Sequence, residues 1–163
     1  MNREEKKRAK REEIVKNSLK LFNEKGYDNT TTAEIAASCH IAKKTLFQYF
    51  PSKEDIIFGD ERELLTEILN LLANTSNPWE EYLAWLSNFN REPEDEFALP
   101  AIIRKNPALH NRLLQMWNMY EMEISEQLGN SISNQILAAK IVLPLRLMFD
   151  QNLEISEIIK ALS

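Results

Sequence analysis

Glycine is scarce in this 163-residue chain, with three in all, and the chain holds one cysteine and two histidines. So few glycines, and the dearth of alternating β-branched runs, argue against a sheet-and-turn protein and for a mostly helical one. A single cysteine excludes an intrachain disulfide and fits a reducing compartment. There is no glycine-rich phosphate loop, no nucleophile elbow and no His-Glu-x-x-His, so catalysis has no support. Cys39, His40 and His110 carry the ligand chemistry available, but Cys39 fits an inward helical face and no further ligands cluster at useful spacing. Neither a metal nor a cofactor is expected. No stretch approaches the roughly 18 uncharged apolar residues of a membrane span. The basic, polar start is not a signal peptide. The sequence reads as soluble and cytoplasmic, with no membrane partner.

What is present is unevenly spread. Residues 1–58 hold 12 Lys/Arg against 9 Asp/Glu, and residues 59–163 hold 8 against 16. A basic end on an acidic body orients a molecule toward phosphate. Much of the excess lies in residues 1–11, with Arg3, Lys6, Lys7, Arg8, Lys10 and Arg11. That stretch reads as a frayed helix start, or an arm that reaches phosphates or an adjacent minor groove.

Residues 12–25 form an amphipathic helix with Ile14, Val15, Ser18, Leu21 and Phe22 inward, stopped by Gly26. Thr31 with Glu34 is a capping-box signature for a second helix. Residues 39–42 leave room only for a tight turn. A third helix runs from Lys43 to Tyr49, with Leu46 and Phe50 inward. Lys44, Thr45, Gln48 and Tyr49 point outward, a mixture that suits a nucleic-acid groove. This is the layout of a helix-turn-helix, whose second helix enters the major groove. Ser52 with Asp55 caps a long helix from about Lys53 to Ala73. Lys53 lies in its first turn, where free N–H groups and the dipole already favour a phosphate.

Asn77-Pro78 and Asn106-Pro107 open further helices by the N-cap and first-position rule. Residues 90–96 read as a polar loop and 97–105 as a short apolar helix. Trp79, Tyr82, Trp85, Phe89, Phe97, Met116, Trp117, Met119, Tyr120 and Met122 are candidates to line an effector pocket, because methionine and aromatics adapt to varied apolar ligands. The same residues also fit plain core. Between Ile136 and Phe149 only Lys140 and Arg146 are charged, so that helix is apolar nearly all round and needs cover on more than one side. Pro144 should kink it. A partner subunit is the simplest cover. Ile136, Ala139, Leu143 and Leu147, with Ile155, Ile158 and Ile159 of the last helix, form the expected seam of a homodimer.

The pattern Ile14…Leu21-Phe22…Gly26-Tyr27…Thr30-Thr31…Ile35-Ala36…Leu46-Phe47-Gln48-Tyr49-Phe50…Ser52-Lys53-Glu54 resembles the TetR/AcrR family of transcriptional regulators. The resemblance covers about 45 residues. It implies an all-α protein with an N-terminal three-helix helix-turn-helix DNA-binding domain (residues 1–58) and a C-terminal helical effector-binding and dimerisation domain (59–163). It implies a dimeric repressor on a double-stranded DNA operator, released by a small apolar or aromatic effector that tilts helix 53–73. Carried over by position, Thr31, Lys43, Thr45, Tyr49 and Lys53 form the DNA-contacting set, to which the outward pattern adds Lys44 and Gln48. His40 stands where the family usually has glycine, Ala42 where a serine often caps, Phe47 where tyrosine is usual and Lys44 where glycine is common. Two other classes stay open on sequence: a helical protein-interaction module, and a small-molecule sequestering protein.

Overall fold

The computed structural model describes residues 2–59, 61–89, 98–151 and 153–162. Among these residues ten helices follow in order: α1 (Arg3–Lys25), α2 (Thr32–Ser38), α3 (Lys43–Tyr49), α4 (Lys53–Phe58), α5 (Glu61–Ala73), α6 (Pro78–Ser87), α7 (Ala98–Lys105), α8 (Pro107–Leu128), α9 (Ile132–Gln151) and α10 (Ile155–Leu162). The all-α expectation holds. The chain divides into two compact units, Met1–Asp60 with Glu92–Asn106, and Glu61–Arg91 with Pro107–Ser163. The loop expected at 90–96 and the side chain of Phe97 lie outside the described residues.

In the first unit α1 starts at Arg3, not near residue 12. The Asn2 side chain accepts the Glu5 N–H at 2.9 Å, and the Glu5 carboxylate accepts the Asn2 N–H at 2.8 Å. This capping box satisfies two of the helix's orphan donors and forms the first turns instead of letting them fray. The inner face of α1 is Ile14, Ser18, Leu19 and Phe22. Leu19 belongs in that stripe, whereas Val15 and Leu21 are only half-buried. Gly26, at φ 85, ends the helix in a conformation that a Cβ disfavours. Tyr27 then packs edge-on against Phe22, ring centroids 5.0 Å apart. Helix α7 packs on α1 in this same unit, and the Asn106 amide donates to Asp28 at 3.0 Å.

The expected single helix 53–73 is two helices. Gly59, at φ 59 and ψ −134, closes α4, and α5 begins at Glu61. That backbone region is open to glycine and strained for other residues. A continuous rod from Lys53 to Ala73 therefore does not exist here, and an effector mechanism that tilts such a rod is set aside.

The second unit packs α5, α6, α8, α9 and α10, with α8 against α9 as its most extensive pair. Its core includes Leu65, Ile68, Leu86, Leu113, Trp117, Ile124, Ile141 and Leu145, each nearly sealed from solvent. Arg62 grips Glu123 with two parallel bonds of 2.9 and 2.6 Å, a fork geometry suited to a carboxylate. Helix α9 runs through Pro144 without a break in its helical assignment. Contrary to the expectation from sequence, residues 132–149 are long and apolar enough to cross a membrane, by length and composition. They are better explained as a core helix, because Ala138, Ile141, Val142, Leu145 and Met148 are buried inside the protomer.

Candidate nucleic-acid interface

The site is assembled from α2, the turn and α3, braced by α1 and α4. Thr31 caps α2: its hydroxyl accepts the Glu34 N–H at 3.2 Å, and Glu34 accepts the Thr31 N–H at 2.9 Å. Lys25 also donates to Glu34. That bond, then the Thr31 N–H and hydroxyl, hold the Glu34 carboxyl down at about 2. The Thr31 hydroxyl expected at the DNA is thus already part of the cap.

The turn is a Schellman closure. The His40 N–H donates to the Ala37 carbonyl at 3.1 Å, and the Ile41 N–H to the Ala36 carbonyl at 3.0 Å. His40 takes the left-handed position at φ 53, a conformation that favours glycine. A non-glycine residue there costs roughly 1–2 kcal/mol of conformational strain. Ala42 has N-cap geometry for α3 (φ −70, ψ 148) but offers no side-chain acceptor.

α3 seats Leu46 and the following Phe50, each 1% exposed. Lys43, Lys44 and Gln48 are exposed, and Thr45 and Tyr49 are half-buried. Phe47 keeps 41% exposure, with the Lys43 ammonium 5.7 Å from its ring centre. These side chains form one open face that mixes cations, a hydroxyl, an amide and aromatics.

Three long-range bonds from α1 hold that face. Arg11 donates to the Tyr49 carbonyl at 2.8 Å and lies 4.3 Å over the Phe50 ring. It places a cation at the negative end of the α3 dipole. Lys10 donates to the Cys39 carbonyl at 3.2 Å, and Asn17 to the Ser38 carbonyl at 3.2 Å. Sequence reasoning counted Lys10 and Arg11 among arm cations and missed this bracing. Their spacing of seven and eight residues from Arg3, on one helical face, was the available signal.

Lys53 is placed differently from the DNA-contacting role carried over by resemblance. Its ammonium donates to the Tyr27 carbonyl at 2.7 Å and the Thr30 carbonyl at 3.1 Å, over the Tyr27 ring at 4.1 Å. It ties α4 to the loop before α2.

The expected pocket and interface residues fall in the second unit. Tyr82, Trp117 and Tyr120 are at most 1% exposed and Met116 is 8% exposed, while Trp79 and Phe89 are half-buried. Trp79, Tyr82, Trp85 and Phe89 run as an aromatic ladder with centroids 4.8–6.0 Å apart. Trp117 meets Tyr120 edge-on at 5.4 Å. Among the described residues, the Tyr82 hydroxyl and Trp117 Nε1 are buried without a hydrogen-bond partner. Burial pushes the Tyr82 phenol well above its usual range.

Of the expected seam, Ile136 is 65% and Leu143 43% exposed, Ala139 is exposed, and Leu147, Ile155 and Ile159 are half-buried. Ile158 is 3% exposed, sealed inside its own protomer where α10 packs on α6 and α9, so it has no surface left for a partner. Ile132, missed on sequence, extends the open stripe at 77% exposure.

A three-helix unit that presents such a face on a braced second helix is a helix-turn-helix of the class that reads double-stranded DNA. Residues 14–58 match the family model of bacterial regulatory proteins, tetR family. The likeness to that family is carried by this domain, about a quarter of the chain. It is 38% identical over 69 residues to the uncharacterised helix-turn-helix transcriptional regulator YuxN of Bacillus subtilis, a match spanning 40% of this chain and 24% of that protein. It is 37% identical over 70 residues to the biofilm operon negative transcriptional regulator IcaR of Staphylococcus aureus, spanning 41% of this chain and 38% of that one. The matches thus span well under half the length of these relatives. A crystal structure described as a TetR-family regulator, from Mesorhizobium loti, superposes with a TM-score of 0.54 at 16% identity, covering 98% of this chain and 93% of that one. At that identity the likeness concerns the fold.

Proposed function

We propose that this protein is a homodimeric transcriptional repressor that binds an operator in duplex DNA through α3 and is released by a small apolar or aromatic effector. The observation that carries this is the open face of Lys43, Lys44, Thr45, Gln48 and Tyr49 on a short helix braced at its C-terminal end and at the turn before it. Repression follows the description of the matched Staphylococcus relative as a negative regulator. DNA binding falls to residues 1–58. Effector binding and dimerisation fall to residues 59–163, apart from α7, which packs with the first unit. A transcriptional regulator of this kind works in the cytoplasm.

Lys44 and Gln48, the exposed cation and amide, read base edges, each good contact contributing about 1–3 kcal/mol of discrimination. Lys44→Ala with Gln48→Ala should abolish preference for the protein's own upstream region in a gel shift while helicity stays native. Unchanged preference would defeat this assignment.

The effector site is the aromatic cluster of the second unit. Support comes from the Tyr82 hydroxyl and Trp117 Nε1, which have no hydrogen-bond partner among the described residues, because a buried donor left unpaired costs roughly 1–3 kcal/mol that a ligand acceptor recovers. Aromatic carboxamides and phenols should quench tryptophan fluorescence and weaken operator binding in parallel. Quenching with no loss of DNA affinity would break the coupling, since only differential affinity for two states shifts an equilibrium.

The protomers pair along α9. The support is the stripe Ile132, Ile136, Ala139 and Leu143, spaced by four, three and four residues and left open to solvent.

A further inference from the structure

The first turns of α1 carry their cations in an ordered pattern. At 100° per residue Arg3, Lys6, Lys7, Lys10 and Arg11 fall on one face, while Glu4, Glu5 and Glu12 lie to the side or opposite. Arg8, off that face, is within 3.7 Å of Glu12. Arg3, Lys6 and Lys7 are exposed, and no hydrogen bond or ion pair engages their side chains among the described residues.

The same face is fixed in direction. Its inner members, Lys10 and Arg11, donate to the Cys39 carbonyl in the turn and the Tyr49 carbonyl at the end of α3. Arg3, Lys6 and Lys7 therefore emerge on the side of α1 that holds the helix-turn-helix, reaching about 12 Å beyond Arg11 at 1.5 Å per residue. The Asn2–Glu5 capping box keeps this extension helical before any partner arrives.

We propose that Arg3, Lys6 and Lys7 form a preformed cationic rail that binds the backbone phosphates flanking the major groove entered by α3. This deepens the DNA-binding reading and rests on it. The rail holds phosphates and not the minor groove. A helix is roughly 10–12 Å across with its side chains, and the minor groove is about 6 Å wide. Ordered cations on a formed helix need no folding step on contact, so the rail adds affinity without sequence preference.

The test is a salt titration of binding to a random-sequence duplex of about 30 base pairs. It compares wild type, the Arg3→Ala/Lys6→Ala/Lys7→Ala variant and the charge-keeping Arg3→Lys/Lys6→Arg/Lys7→Arg variant. Each phosphate contact contributes about 0.9 to the slope of log affinity against log salt, so the alanine variant should lose about 2–3 units of slope. Between 50 and 200 mM salt the wild-type affinity should then fall about 40-fold more than the variant's. The charge-keeping variant should retain the wild-type slope, and far-UV circular dichroism should match across all three, alanine being the better helix former. An alanine variant with the wild-type slope would overturn the rail while leaving α3 as the reader. Wild type with no salt-dependent affinity for duplex would instead defeat the DNA-binding reading, and the rail with it.

Discussion

At the scale of single residues, the helix-turn-helix is built from local choices that leave measurable stability unused. Ala42 already holds N-cap backbone geometry but offers no side-chain acceptor to the first N–H groups of α3. Ala42→Ser should therefore raise unfolding free energy by about 1 kcal/mol in urea denaturation, the usual gain from a side-chain cap. No gain would mean that the α3 N–H groups already have other partners. His40 sits in the left-handed position of the Schellman turn at φ 53, so the departure from glycine noted on sequence has a definite structural counterpart. Lys53 is the residue whose surroundings the sequence concealed. Its position in the first turn of α4 suggested a phosphate, yet two loop carbonyls take its ammonium. Which acceptor a flexible cation finds depends on a loop distant in sequence, and no local pattern records that.

At the scale of elements, the helices were largely legible and their joints were not. Periodic apolar positions located α1, α3, α6, α8 and α9, and the Thr31–Glu34 and Ser52–Asp55 pairs located two starts. The long helix 53–73 failed at Gly59, because apolar periodicity runs straight across a residue whose backbone turns at φ 59. The start of α1 failed the other way, because the Asn2–Glu5 capping box went unread beneath a run of charge. Helix α9 showed as apolar all round, but which side faces its own protomer is a tertiary fact. The structure closes Ile141, Val142 and Leu145 inward and leaves Ile132, Ile136 and Leu143 open. Ile136→Glu with Leu143→Glu should convert a dimer to a monomer in sedimentation while unit folding persists, because charges on an exposed stripe cost little until a partner buries them. A variant that stays dimeric would place the interface elsewhere.

At the scale of the whole molecule, charge segregates as the sequence alone showed, with a basic first 58 residues and an acidic remainder. On the DNA-binding reading proposed above, that division directs the basic segment toward phosphate. The residues proposed for an effector site were the least legible feature. Tyr82, Met116, Trp117 and Tyr120 have the composition of a ligand pocket and the burial of a core, and composition alone does not separate the two. Among the described residues the Tyr82 hydroxyl and Trp117 Nε1 have no hydrogen-bond partner, and the proposed ligand site rests on those two atoms. The central claim, that paired protomers present α3 twice to one face of duplex DNA, is tested most directly by a nuclease footprint on the DNA upstream of the protein's own coding sequence. Two protected patches centred about 34–36 Å apart, one helical turn, are the predicted result. A single patch, or no protection at concentrations where the protein is folded and dimeric, would contradict it.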